Sequence, residues 1–126
     1  MFHRAKTQLE ALQAVPWLAA AGDAALAQLV QAASMEDIDD GREVCLRGHD
    51  VGHLLVVVKG QMTSSYTNAE GKRHVIGLVG PGEVTGIIPL LDESGAVNDL
   101  HAKGALQLIL VPRSAFQQCM QDHPAL

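Results

Sequence analysis

The chain has 126 residues, within the usual domain size of about 100 to 150, so one core and one domain are expected. Hydrophobic residues make up 48% and charged residues 18%, enough to fold without disulfides or metals, which excludes disorder as a general description. Fourteen acids against nine bases give a formal net charge of -5, and Lys and Arg form no cluster. Tight nucleic-acid binding by this stretch is thereby excluded, because that affinity comes largely from bases neutralising phosphates.

The two cysteines, Cys45 and Cys119, are too few and too far apart for a disulfide framework, a CxxC pair or a zinc or iron-sulfur cluster. Buried thiols of a cytoplasmic protein are expected. The apolar run from Ala14 to Val30 imitates a signal peptide, but Pro16 and Asp23 interrupt it and Glu10 stands before it. No stretch reaches about 18 uninterrupted apolar residues, so no membrane-spanning helix and no membrane partner are expected.

Phe2, Ala5, Leu9 and Leu12 recur at helical spacing and predict a short first helix, which Pro16 ends or restarts. A second helix is predicted from Asp23, as its N-cap, to about Ser34, with Leu26, Leu29, Val30 and Ala33 as its apolar stripe. Residues 1–36 thus read as a helical lead. Glu36, Asp37, Asp39 and Asp40 surround Ile38 in an acidic patch that reads as a solvated approach to the Asp40-Gly41 turn.

From Gly41 onward, glycines at 41, 48, 52, 60, 71, 77, 80, 82, 86, 95 and 104 punctuate short runs of Val, Ile and Leu. That rhythm predicts a barrel or jelly roll over residues 41–111, mainly β with flanking helices. The strand candidates are Glu43 to Leu46, His53 to Val58, Gln61 to Thr67, His74 to Val79, Asn98 to Lys103 and Ala105 to Val111. Asn68-Ala69-Glu70-Gly71 reads as a hairpin loop and Pro81-Gly82 as the centre of a type II turn. A helix is predicted from Arg113 to Gln121, with Phe116, Cys119 and Met120 on one side. Asp122-His123-Pro124 then supplies the cap and first-position proline of another helix, which residues 123–126 only begin. The expectation is a front part of a longer protein.

The most specific series runs Val56-Val57-Val58-Lys59-Gly60-Gln61, Ala69-Glu70-Gly71-Lys72, Gly80-Pro81-Gly82-Glu83, Gly86, Leu90-Leu91-Asp92 and Pro112-Arg113-Ser114-Ala115-Phe116. In this order and spacing it resembles the cyclic-nucleotide-binding domain of Crp/Fnr-type transcription regulators, from the leading helices to His123-Pro124-Ala125-Leu126. The resemblance implies a double-stranded β-helix, the jelly-roll or β-roll of that domain type, flanked by helices. It also implies a homodimer through the helix beginning near Pro124, and contact with DNA only through a C-terminal domain outside this chain.

The phosphate-binding cassette departs from the family pattern. A buried cyclic phosphate needs backbone N–H groups at a helix start and, in the family, an Arg whose fork matches two phosphate oxygens. The family's Gly-Glu-Leu tripeptide, whose Glu accepts from the ribose, falls on Gly86-Ile87-Ile88, and its Arg-Ser pair on Ala96-Val97. Losing the partner of a buried charge costs about 3 to 5 kcal/mol, roughly two to three and a half powers of ten in affinity. Pro89 removes one further backbone donor. Cyclic nucleotides are therefore expected to bind weakly or not at all.

Lys103, Arg73 and Arg113 are the available substitute cations, but the simpler expectation is an apolar pocket of Ile87, Ile88, Ala96 and Val97. By alignment Ser64, Ile76 and Gly77 face it, and Gly82, Glu83 and Gly86 belong to the cassette. It would suit an uncharged effector or a flat hydrophobic cofactor, or be filled by its own side chains. Haem, with His74, His101 or Cys45 as ligand, is a weaker option. No metal is expected: His49 and His53 flank Gly52 in a turn, and the His-x-His pair of cupins is missing. No nucleophile stands beside a base in a known signature, so no enzyme is expected. The expected function is a ligand-sensing domain whose glycine-bounded segment from Pro81 to Val97 moves with the effector. A ligand-free dimerisation module of the same fold, or a cupin-like metalloprotein, is the alternative.

Overall fold

A computed structural model describes the backbone of residues 2–86 and 95–124, with side chains from Thr7 onward. The lead comprises α1 (Phe2–Gln13), α2 (Pro16–Ala19) and α3 (Asp23–Ala32). Pro16 opens α2, where its missing N–H is not needed. Asp23 is the first residue of α3 rather than its cap; the cap is Gly22, at φ 96°. The carboxylate still faces the positive end of the helix dipole.

Glu36, Asp37, Asp39 and Asp40 are all exposed and lead into a turn at Asp40-Gly41, as expected, but the approach is a strand. Ser34–Ile38 forms strand β1, antiparallel to residues Leu106 to Leu110, so the helical lead stops at Ala32 rather than at 36. Acidic residues have weak strand propensity, and the strand exists because tertiary pairing overrides that preference. Met35 faces the helices, Ile38 faces the roll, and the exposed Glu36 and Asp37 keep this outer strand soluble. Asp40 accepts a 2.7 Å hydrogen bond from the Gly104 N–H, so it too has a structural task.

The remaining elements are β2 (Glu43–Cys45), β3 (His53–Thr67), β4 (Arg73–Val79), β5 (Val84–Thr85), β6 (Asp99–Pro112) and α4 (Arg113–Asp122). The candidates 53–58 and 61–67 are one strand, and so are 98–103 and 105–111. Each bends at a positive-φ glycine, Gly60 at 80° and Gly104 at 74°. The β3–β6 register shifts on both sides of Lys59, as expected of bulges that turn a strand from one layer to the next.

The first half of β3 pairs with β5 and with the second half of β6, which also carries β1. The second half of β3 pairs with β4 and with the first half of β6, which also carries β2. Two layers linked through two shared strands make the β-roll. Its interior holds Ile38, Leu55, Val57, Met62, Leu100, Ala102, Leu106 and Leu108. A second core lies between the first layer and the helices, where Leu54, Val56, Ile109 and Val111 meet Leu12, Leu18, Leu26, Leu29 and Phe116. The first half of β3 is therefore buried on both faces, which is why it reads as an unbroken apolar run.

Gly71, at φ 82°, closes the β3–β4 hairpin, and the Asn68 carbonyl oxygen accepts from the N–H groups of Glu70 and Lys72. At the start of α4, Arg113 holds Asp50 in an ion pair of 2.7 Å. The Arg113 hydrogen bond, chiefly, lowers the Asp50 pKa below its ordinary 3.8. A depressed carboxyl pKa stabilises the fold above the unfolded value, and that contribution disappears as pH falls through the folded one. Wild type and Asp50→Asn should thus differ in melting temperature near neutrality and converge below pH 3.8.

Candidate functional site

A concave pocket of about 230 Å³ opens at the seam between the two layers. Cys45 of β2, Leu55 and Ser64 of β3, Val84 and Thr85 of β5, and Leu100 of β6 line it. Val51, Gly86, Ala96, Val97 and Asn98 complete the lining from the loops. It sits here because Ser64, opposite Leu100, turns a small side chain inward where larger residues fill the roll elsewhere. Gly86, at φ 90°, packs where a Cβ would come within 3.2 Å of Val51.

Ser64, Gly86, Ala96 and Val97 of the expected site meet at this pocket. Ile87 and Ile88 lie outside the described residues. Ile76 is 55% exposed on the outer strand β4 and lies outside the pocket lining. Gly77 pairs with Ser64 but is not part of the lining either. Gly82 and Glu83 build the turn that anchors the cassette's start. Gly82 N–H donates to the Val57 carbonyl, Val57 N–H donates to the Glu83 carbonyl, and Glu83 Oε1 accepts from Gly80 N–H. Cys45, Val51, Leu55, Val84, Thr85, Asn98 and Leu100 were not anticipated. Strand alternation around Leu100 was the available signal for that residue, whereas the unbroken apolar run hides which face Leu55 takes.

Ala96 is 7% exposed, and its backbone is already engaged: Gly48 N–H donates to its carbonyl and its own N–H donates to the His49 carbonyl, both at 2.8 Å. Ala96, the position expected to match the family's Arg, thus offers neither a side-chain cation nor a free N–H. Gly95 beside it is fixed by the same stitch, since a Cβ there would lie 2.7 Å from the Gly48 carbonyl oxygen.

None of the three substitute cations lines the pocket. Arg73 spends its guanidinium on the hydroxyls of Ser65 and Thr63, on the roll's outer face. Arg113 holds Asp50, and Lys103 is exposed on β6. The conceivable haem ligands do not converge. Cys45 faces the pocket, His101 belongs to the opposite face of its layer, and His74 stacks on Tyr66 with ring centroids 5.1 Å apart. Among the described residues no three His, Cys, Asp or Glu side chains are grouped to hold a metal.

Burial, and then the nearby Asp99 charge, raise the Cys45 thiol above its ordinary 9.0. The nucleophile is the thiolate, so Cys45 should react with iodoacetamide at pH 8 several-fold more slowly than a free thiol. A ligand seated in the pocket should slow it further, which mass spectrometry of the alkylated peptide measures.

The β-roll flanked by helices is that of a cyclic nucleotide-binding-like regulatory domain, and sequence comparison makes the class definite. The chain belongs to the cyclic nucleotide-binding domain family, matched over residues 35–123. Among curated proteins it is similar to lysophospholipase nte1 of Aspergillus terreus, 29% identical over 89 residues, which are 71% of this chain and 6% of that protein. The chain therefore spans a small fraction of such relatives. Among solved structures it is similar to the regulatory subunit of a cAMP-independent protein kinase A from Trypanosoma cruzi, bound to guanosine. The TM-score is 0.82 at 22% identity, covering 95% of this chain and 43% of that one. It is also similar to a cyclic nucleotide-binding-like protein of Brucella abortus, with TM-score 0.78 and 24% identity, covering 90% of this chain and 97% of that one. No described helix is long and apolar enough to cross a membrane.

Proposed function

We propose that this chain is the sensing domain of a larger cytoplasmic regulator and that its pocket has lost tight binding of cAMP and cGMP. The engaged backbone and apolar side chain of Ala96 carry this reading, because a cyclic phosphate seated there would be buried without its cation. The sequence from Gly82 to Ala102 contains no Lys or Arg and four acidic residues. An effector without net charge fits this pocket, and the guanosine carried by the trypanosomal relative is a ligand of that kind.

The regulator is of the Crp/Fnr kind: a helix starting near Pro124 would pair two copies and pass the change to a DNA-binding domain. The effector would act by population shift, stabilising one arrangement of the segment from Pro81 to Val97 over another. The similarity to lysophospholipases favours a second host, a lipid hydrolase that carries the domain as a control element. In neither case does this chain perform the chemistry. Calorimetric titration with cAMP and cGMP to about 1 mM, a level that detects binding stronger than about 4 kcal/mol, should show no saturable heat. Micromolar binding of either nucleotide overturns the proposal.

A further inference from the structure

We infer that the pocket takes a neutral ring compound bearing an amide or lactam edge, recognised through Asn98 with Thr85 and Ser64. This rests on the proposed reading of the same pocket and adds the ligand's polar chemistry to it. Ser64, Thr85 and Asn98 all line the pocket, and none of their side chains has a hydrogen-bond partner among the described residues. Asparagine offers two donors and an acceptor, and each hydroxyl offers one donor and two lone pairs. Polar side chains turned into a concave surface and left unpaired are the few orienting groups that small-molecule sites place among apolar walls.

Among the described residues, the remaining side chains that line the pocket, Cys45, Val51, Leu55, Val84, Ala96, Val97 and Leu100, offer no full charge. Burial keeps the Cys45 thiol protonated. An anion entering the pocket would lose its hydration for no cation, and a purely apolar ligand would cover three polar side chains without pairing them. A neutral group with an N–H beside a C=O avoids both costs. It can exchange a donor and an acceptor with the Asn98 amide and leave a second lone pair for Thr85 or Ser64. The apolar walls then take the flat body of the ring. Asn98 is thus assigned as the specificity-determining residue, immediately beyond the Ala96-Val97 positions.

Benzamide, benzoate and toluene test this, since they share one shape and differ only in the polar group. Each is titrated into the full chain and followed by amide NMR shifts of Ser64, Thr85, Ala96 and Asn98. Benzamide should bind about tenfold more tightly than toluene, the effect of one or two net hydrogen bonds, and benzoate should bind most weakly. Asn98→Leu should abolish the preference for benzamide over toluene while toluene still binds, and Thr85→Val should reduce it. Equal binding of benzamide and toluene, an unchanged preference in Asn98→Leu, or no pocket shifts with any probe overturns the inference. A preference for benzoate, or micromolar cAMP binding measured in parallel, instead overturns the cation-free reading beneath it.

Discussion

Replacing Ala96 with Arg and Val97 with Ser together should raise the affinity for cAMP by about two to three and a half powers of ten. That is the reverse of the 3 to 5 kcal/mol lost when a buried charge has no partner. Val97 is 61% exposed at the pocket rim, so a serine there meets no packing constraint. Ala96 is harder, because the stitch to Gly48 and His49 fixes its backbone, but that same stitch directs the new side chain from a defined point. Calorimetry with cAMP reads the gain, and a melting curve of the double variant shows that the fold is retained. The affinity should fall with added salt less than an exposed ion pair would, because the new pair is shielded from screening. If the restored pair gains less than tenfold, the loss of cyclic-nucleotide binding lies elsewhere in the cassette, with Ile87, which aligns with the family's Glu, as the next residue to change.

The largest stability effect should come from Gly60→Ala. Gly60 has φ 80° and its missing Cβ points into the backbone of β6, where it would collide with the Ala105 carbonyl oxygen. Neither partner is a flexible side chain that can swing away. Left-handed strain and overpacking together should cost about 3 kcal/mol or more, against a total stability of about 5 to 15 kcal/mol for a domain. Gly104→Ala is the matched control. Its φ of 74° is equally strained, but a Cβ there meets nothing within 4 Å. It should cost only about 1 to 2 kcal/mol. Urea denaturation of the two variants therefore separates conformational strain from the close approach, and similar losses would mean that β3 and β6 yield at the bend.

Much of this architecture was legible in the sequence, for physical reasons that differ by element. The glycines from Gly41 onward marked the turns because positive φ is cheap only for glycine, and nine of them do adopt it. The apolar run from Leu54 to Val57 marked a strand with both faces covered. β1 was hidden because its acidic residues carry no strand signal of their own and its partner, β6, lies far along the chain. The two long strands were read as four because a bend at Gly60 or Gly104 looks locally like a turn; only the pairing on both sides shows that the strand continues.

The pocket was partly legible for a similar reason. Ser64, Gly86, Ala96 and Val97 follow from matching positions along a familiar series, whereas Asn98 and Val51 enter through loops, and Cys45 through the short strand β2, in a geometry that spacing does not encode. Ile76 shows the opposite case. The β3–β4 register shifts between Ser64 and Ser65 and leaves Ile76 unpaired beside Gly77, a bulge that alignment of the series does not register.

The far end of α4 is tied to α3. Gln28 of α3 donates to Asp122 Oδ2 at 2.9 Å, and its Oε1 lies 3.1 Å from His123 Nε2. α1 packs on the same helix α3. The polypeptide consequently comes in and goes out across one shared platform, like a bead threaded through neighbouring holes. Such a unit can sit within a very long polypeptide without pulling its flanks apart, which suits a domain whose curated relatives devote only about 6% of their length to it.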